Sequence, residues 1–406
     1  MPTLLIITQV YPPDPAAVGQ HFADVAERMV ERGWGVIVYT SRRGYDDPTE
    51  RHPWRESRHG VDVRRLPLSS FGKSSILVRL LAQVLFLAQA MVWSMCISRP
   101  AVLLVSTSPP FAGFGGSVLA MLRRIPLLWW VMDINPDQMI AAGRISATSV
   151  LAKTFDWMNI RTLRRSSAVI VLDRFMRDRI LAKADVSDRI HVVPPWSHDA
   201  VRENVAHDEN HFRARHELRD DFVVMYSGNH GHDNSFDTLL AAARRLEGSR
   251  VKFVFIGGGV GKRRIDQYIA SESPENVLSL PYQPLSELRY SLSSADIHVV
   301  MLANASVGIV HPCKVYGALA VGRPVLAIAP RDSYIGDILA AHGVGWLIEH
   351  GDVDGLEALL RRLLAMPLEE REAFGASARE ACRGPFARDH LLDEVCDLVE
   401  AQATPS

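Results

Sequence analysis

An alternation that runs, stops and starts again constrains this chain more than any other feature. Short apolar runs of strand character fall at 4–10, 35–40, 61–66, 101–105, 127–132, 168–172 and 190–193, with helical pattern between several of them and a first helix near 19–32. From 192 to 218 the character changes: "VVPPWSHDAVRENVAHDENHFRARHEL" is polar, rich in histidine and without strand period. The alternation then resumes with "FVVMYSG" at 222, "VKFVFIGGG" at 251, "NVLSLPY" at 276, "DIHVVML" at 296, "PVLAIAP" at 324 and "GVGWLIE" at 343. Helices are predicted at 235–246, 261–271, 284–293, 352–366 and 386–401. Apolar strands alternating with helices make parallel sheets covered on both faces. At 406 residues the chain exceeds one typical core, so two doubly wound α/β domains are expected. They are assigned to residues 1–196 and 219–385, with 197–218 as the hinge. Ligands of such sheets bind beyond the strand C-termini, which would put the site in a cleft between two facing domains.

Charge and cysteine usage narrow the class. Lys and Arg number 45 against 46 Asp and Glu, so nothing pulls the whole chain toward nucleic acid. Cys96, Cys313, Cys382 and Cys396 form no close pair, which argues against a disulfide scaffold or zinc knuckle and for a reducing compartment. "MPTLLIITQVYPP" lacks a basic leader and reads as a first strand rather than a signal peptide. "ILVRLLAQVLFLAQAMVWSMCI" at 76–97 is nearly the length of a membrane span, yet Arg79, Gln83 and Gln89 interrupt it. Lys73, Arg79 and Arg99 flank or punctuate it, so a buried helix, a surface helix lying against lipid and a true span all stay open.

Several strand-to-helix junctions carry possible chemistry. In "TQVYPPDPAAVGQHF" prolines fix the path and Gly19 sits where amides open a helix; plain structure and anion binding both account for it. "SGNHGHDNSF" places Gly228, Asn229 and Gly231 after a strand, with His230 and His232 as further hydrogen-bonding groups. "IGGGVGKRRI" puts Gly257 and Gly258 at the next such junction, followed by Lys262, Arg263 and Arg264. Asp133 and Asp137 in "WWVMDINPDQM" are candidates for a base or an acceptor contact, or for a helix cap and an Asn135-Pro136 turn. His198, His207, His211 and His216 read as hinge solvation rather than a metal site. Lys314 in "HPCKVYGALAVGRPVLA" is the strongest single candidate: an ammonium there can neutralise a diphosphate, and Pro312 restrains the backbone before it.

Taken together, these pieces resemble the retaining, nucleotide-sugar-dependent glycosyltransferases of the GT-B superfamily, the family four group, and within it the WbuB-like enzymes. The resemblance runs almost end to end through "YPPDPAAVGQHFADVAERMVERGWGVIVYTS", "MDINPD", "VLDRFMRDRI…DRIHVVPPW", "YSGNHGHDNSFDTLLAAA", "FVFIGGG" and "HPCKVYGALAVGRPVLA". It implies a GT-B fold, a donor such as a UDP-sugar, and no cofactor or obligate metal. It also implies that the last helix, 386–402, joins the N-terminal, acceptor-side domain. By position, Gly19 would face diphosphate or sugar, and Gly228, Asn229 and Gly231 would line the donor pocket. Pro281 and Tyr282 would approach the base, Lys314 would meet the phosphates, and Asp133 would stand on the acceptor side. Two family glutamates are replaced by Ile309 and Gly317, a basic pair by Asn229 and Asn234, and a histidine by Met132.

The expected activity is transfer of a hexosyl or N-acetylhexosaminyl group to a glycan or lipid-linked acceptor for cell-surface polysaccharide. The expected location is cytoplasmic, with residues 73–99 touching the cytoplasmic face of a membrane. An epimerase of the same fold and an inactive sugar-nucleotide binder are the alternatives. A nicotinamide-dependent oxidoreductase is disfavoured because neither half carries GxGxxG with a following acidic residue.

Overall fold

The computed structural model describes residues 1–14, 16–44, 49–69, 76–197, 204–231 and 235–403. Lys73, His198, His232 and Asn234, singled out above, lie outside the described residues, as does the side chain of Arg79. The chain divides into two compact units. One is Met1–Pro194 with Gly308–Val310 and Asp389–Ser406; the other is Pro195–Val307 with His311–Arg388.

The first unit runs β1 (Thr3–Ile7), α1 (Ala17–Glu31), β2 (Gly35–Ser41), β3 (Arg55–Arg58), β4 (Val61–Leu66), α2 (Ile76–Met95), β5 (Val102–Val105), α3 (Ala112–Arg123) and β6 (Leu127–Trp130). It continues through α4 (Asp137–Ala141), α5 (Val150–Arg165), β7 (Ala168–Val171), α6 (Arg174–Lys183) and β8 (Ile190–Val192). Its sheet has the order β3-β4-β2-β1-β5-β6-β7-β8. Every pair is parallel except β3 on β4. The inner strands "VLLV", "LLWW" and "AVIV" are buried at every position, because a parallel sheet carries helices on both faces. The edge strand β3, "RESR", is charged and short, as edges that avoid pairing with another chain usually are. No apolar period announces it. The step from β1 to β2 runs toward the β3 edge, whereas α2, α3, α5 and α6 connect strands progressing toward β8. Right-handed crossovers therefore put α1 on one face and that row of helices on the other.

The second unit contains α7 (His211–Arg215), β9 (Phe222–Ser227), α8 (Asp237–Arg245), β10 (Val251–Ile256), α9 (Lys262–Glu272), β11 (Val277–Leu280), α10 (Leu288–Ser293) and β12 (Ile297–Met301). After these come α11 (Lys314–Ala320), β13 (Val325–Ile328), α12 (Tyr334–His342), β14 (Gly345–Ile348), α13 (Val353–Ala365) and α14 (Leu368–Arg383). Its sheet is wholly parallel, in the order β11-β10-β9-β12-β13-β14. Phe253, Phe255, Tyr226, Phe236 and Leu360 anchor its core. Besides the short α7, which falls in the segment read as the hinge, three helices stand where sequence pattern had none. "KVYGALA" is masked by its internal glycine and preceding prolines, α12 "YIGDILAAH" by its central glycine and brevity, and α14 "LEEREAFGASAREACR" by scattered charge. The predicted strands at 127–132 and 190–193 each end earlier in the structure, at Trp130 and Val192.

The last helix, α15 (Arg388–Ala403), completes the first unit from Asp389 onward. Leu391, Leu392, Val395, Cys396 and Val399 are buried along one side. Beside them, carboxylates of α15 meet the basic end of α1. Arg28 donates to Asp393 at 2.6 Å and to Asp389 at 2.9 Å. Arg32 donates to Asp393 at 2.8 Å, Asp397 at 2.6 Å and Glu400 at 3.0 Å. The apolar side should outweigh this half-exposed network, since partly solvated ion pairs are weak. Leu392→Ala is expected to cost about 2–4 kcal/mol in urea unfolding. Asp393→Asn should cost on the order of 1 kcal/mol. The reverse ranking would mean that charge, not burial, holds α15.

Candidate functional site

In the second unit, the C-terminal ends of β9 and β10 are locked together by backbone. Gly228 N donates to Ile256 O at 2.9 Å, His230 N to Gly258 O at 2.8 Å, and Gly261 N to His230 O at 3.0 Å. Gly257 has φ +135°, and a Cβ on it would lie 2.1 Å from Gly228 O. Gly228 has φ +127°, and its Cβ would lie 2.6 Å from Lys314 Cε. Both positions have positive φ, which favours glycine; at Gly257 the added atom would strike backbone, whereas at Gly228 it would displace the Lys314 stem.

Lys314 is the first residue of α11, on the connection that follows β12. Its stem crosses Gly228, and Nζ sits 5.2 Å from the centre of the Tyr226 ring. Tyr226 donates its hydroxyl to Asn229 O at 2.7 Å, which ties that ring to the first glycine turn. The ammonium is half-buried and has no ion-pair partner among the described residues. Burial accordingly lowers its pKa. A cation held without a counter-charge over a floor of glycines is a place for an anion.

His230 lies under the same turn, fully buried between Tyr226 and Phe236 at 5.1 Å from each ring centre. Desolvation first, then the charge of Lys262, pushes its pKa down to about 4, so the ring is neutral at pH 7. On the β11 side, Tyr282 donates to Gly258 O at 3.2 Å, and Pro281 is exposed beside it. The structure thus brings Gly228, Asn229, Gly257, Gly258, Tyr282 and Lys314 together. The Gly231 carbonyl sits close by, 3.0 Å from where a Cβ on Gly261 would stand. Lys262 is spent locally, donating to Ser279 at 2.6 Å, and Arg264 pairs with Asp237 at 2.9 Å. Pro312 and His311 are buried, His311 Nε2 lying 2.8 Å from the Tyr316 hydroxyl.

Comparison with known proteins decides the class. Residues 16–196 match the family described as "Glycosyl transferase 4-like domain" and residues 208–381 match "Glycosyl transferases group 1". The putative colanic acid biosynthesis glycosyl transferase WcaI of Escherichia coli is 24% identical over 372 residues, covering 88% of this chain and 91% of its own. The probable glycosyltransferase WbjE of Pseudomonas aeruginosa is 20% identical, covering 91% of each. Among solved structures, sucrose-phosphate synthase from Thermosynechococcus elongatus superposes with a TM-score of 0.76 at 17% identity, over 99% of both chains. Anabaena HepE in complex with UDP and glucose gives 0.73 at 14% identity, over 99% of this chain and 100% of that one. The chain is a glycosyltransferase with the GT-B fold.

In this glycosyltransferase the remaining candidates, Gly19 and Asp133, belong to the first unit. Gly19 lies in the first turn of α1, and a Cβ there would stand 3.0 Å from the Val10–Tyr11 backbone. The glycine lets the helix press on the loop after β1. That loop is also held by buried Arg65, which donates to Pro12 O at 2.7 Å and to Glu56 at 2.6 Å. The two aspartates of "MDINPD" separate cleanly. Asp137 opens α4 and pairs with Lys183 at 2.7 Å, a structural tie to α6. Asp133 has no ion pair among the described residues, and desolvation raises its pKa from 3.8 to about 6. Asn159 donates to the carbonyl of Asn135, fixing the turn between them.

Sequence reading missed Tyr226, the floor beneath Lys314. The only signal for it was an aromatic two positions before a junction glycine in "FVVMYSG".

The Asp133 shift has a defined sign. The native carboxyl keeps its proton up to about pH 6, whereas the unfolded one loses it near 3.8. Stability from the neutral form is therefore full below 3.8 and is lost as pH rises through about 6. Asp133→Asn, which cannot ionise, is expected to exceed wild type in stability above pH 7 by on the order of 1 kcal/mol. The gap should close by about pH 4 in denaturant titrations; a gap independent of pH would show that ionisation is not its cause.

Proposed function

We propose that the enzyme transfers one sugar, with retention of anomeric configuration, from a UDP-sugar to a glycan or lipid-linked acceptor in cell-surface polysaccharide synthesis. The observation that carries this reading is Lys314, a partly desolvated ammonium over Tyr226 and Gly228 with no ion pair among the described residues. A departing nucleoside diphosphate carries its charge in the place where such a group is worth most. Gly228, Asn229 and Gly231 line the donor pocket in this reading, Gly257 and Gly258 shape its wall, and Pro281 and Tyr282 approach the base. Asp133 and Gly19 serve the acceptor side. The acceptor hydroxyl gives its proton to the leaving phosphate as the new glycosidic bond forms, so the chain contributes orientation and electrostatics and needs no nucleophile of its own. The names borne by WcaI and HepE support a polysaccharide product and a UDP-linked donor. Membership in the WbuB-like group belongs to the same reading, as does a cytoplasmic enzyme touching the membrane through residues 73–99.

A second reading, a sugar-nucleotide binder without activity, has one observation behind it. Ile309, where the resembled family has a glutamate, is 2% exposed, and Gly317 has no side chain at all. An epimerase gains nothing from the site, because it too requires carboxylates at the sugar.

Calorimetry with UDP and a panel of UDP-sugars separates these. Wild type should bind UDP, and Lys314→Gln should weaken that binding by at least about tenfold, the worth of one charge-assisted contact. Transfer to a lipid-linked acceptor with the donor anomer preserved supports the first reading. Binding without turnover selects the second, and absence of UDP binding by wild type removes both.

A further inference from the structure

Between Asp62 and Asp133 the chain contains no Asp or Glu, while Arg64, Arg65, Lys73, Arg79, Arg99, Arg123 and Arg124 fall in that interval. A chain of formal net charge −1 therefore concentrates positive charge in the segment that builds α2 and α3. Those helices, with α5, form one row: α3 packs against α2 on one side and α5 on the other. All three lie on the face of the sheet opposite α1, by the crossover argument above.

The outward side of this row is unlike an ordinary protein surface. Among the described side chains of α2 the exposed positions are Leu81, Val84, Ala88, Val92 and Met95. At 100° per residue they fall within about 80° of one another, a continuous apolar stripe. Leu81, Val84, Val92 and Met95 are each more than half exposed, at 56%, 55%, 62% and 51%. The opposite side of α2 is already occupied, with Phe86, Leu87 and Ala90 in the core. So the stripe is surplus to folding.

At the far end of α2, Arg123 donates to Ser94 O at 2.9 Å and Met95 O at 3.1 Å. This brings the exposed Met121 and Leu122 of α3 to the end of the stripe, beside the exposed Arg124. On α5 the outward positions Lys153, Trp157, Arg161 and Arg164 likewise span about 80°. Trp157 is 50% exposed, packs on Phe114 of α3 at 5.5 Å, and carries the Arg161 guanidinium 5.5 Å above its ring. The carboxylate of α5, Asp156, is turned to Lys183 at 2.6 Å. An apolar stripe, an amphipathic tryptophan and a basic border are what a headgroup–acyl boundary of negative charge selects. No described helix is long and apolar enough to cross a membrane, so this surface would lie on the bilayer.

We propose that the α2–α3–α5 face of the first unit docks on an anionic lipid surface, α2 inserting its stripe and α5 meeting the headgroups with Lys153, Arg161 and Trp157. This rests on the reading of a membrane-facing enzyme and deepens it. It names the lipid charge and extends the contact beyond residues 73–99 to α5.

Vesicle flotation of the full chain tests it, using phosphatidylcholine vesicles with and without phosphatidylglycerol. Wild type should float with the anionic vesicles at least about tenfold more than with neutral ones, and lose most of that at high salt. Val84→Gln/Val92→Gln should abolish flotation by removing insertion. Lys153→Gln/Arg161→Gln should reduce it only on anionic vesicles. Both substituted pairs are exposed, so melting temperature and UDP binding serve as controls. UDP binding is read separately, so failure of docking and failure of the transferase reading are distinct results. The proposal is overturned if wild type stays in solution with every vesicle, or if neither variant changes its flotation. It is equally overturned if light scattering shows a dimer that Val84→Gln/Val92→Gln dissolves while vesicles bind nothing, which would make the stripe a contact between two copies.

Discussion

The turn after β10 rests its Gly257 directly on the carbonyl of Gly228, and the rest of the candidate-site geometry follows from that contact. A methyl group at Gly257 would force the two turns apart, and one at Gly228 would push the Lys314 stem aside. Because they stay together, the Lys314 stem can lie across the first turn and reach the Tyr226 ring. The parallel sheet supplies the setting, since it delivers the C-terminal ends of β9, β10 and β11 to one edge with their amides and carbonyls already paired. Little remains for side chains to do except bring one cation. That economy suits a reaction whose difficult moment is the departure of a diphosphate.

The first unit solves a different problem. Its loop after β1 has little regular structure of its own, so it is pinned from outside, by Gly19 pressing α1 against it and by the buried guanidinium of Arg65. The two aspartates of "MDINPD" show how closely role depends on surroundings. Four positions apart, one is consumed by Lys183 and the other, without an ion pair among the described residues, has a raised pKa. Identity of residue type says nothing about which is which. The neighbours decide.

Much of this was legible in the sequence, for a physical reason. Parallel strands buried on both faces must be continuous apolar runs, so "VLLV", "AVIV" and "FVFI" announced themselves. Strand β3 did not, because an edge strand profits from being charged, and α11 and α12 did not, because internal glycines imitate turns. The glycine-rich junctions marked the candidate site, and Lys314 stood out in the sequence as a cation after prolines. Tyr226 did not stand out, since an aromatic in a strand is ordinarily core. Asp133 and Asp137 were equivalent until α6 supplied Lys183 to one of them. Pattern records what a residue's own segment requires; it is silent about what another segment brings to it.

The helix α15 carries a consequence for how the molecule comes into being. Residues from Asp389 onward belong with Met1–Pro194, yet they leave the ribosome after every residue of the second unit. Domains emerging in order ordinarily close in order. Here the earlier-made one must wait with the seat of Leu391, Leu392, Val395 and Val399 uncovered, while the later-made one has all its strands and can close first. The order of synthesis and the order of completion are opposite. For the time of one domain's translation, the nascent chain presents a greasy groove beside Arg28 and Arg32, the kind of surface that chaperones hold.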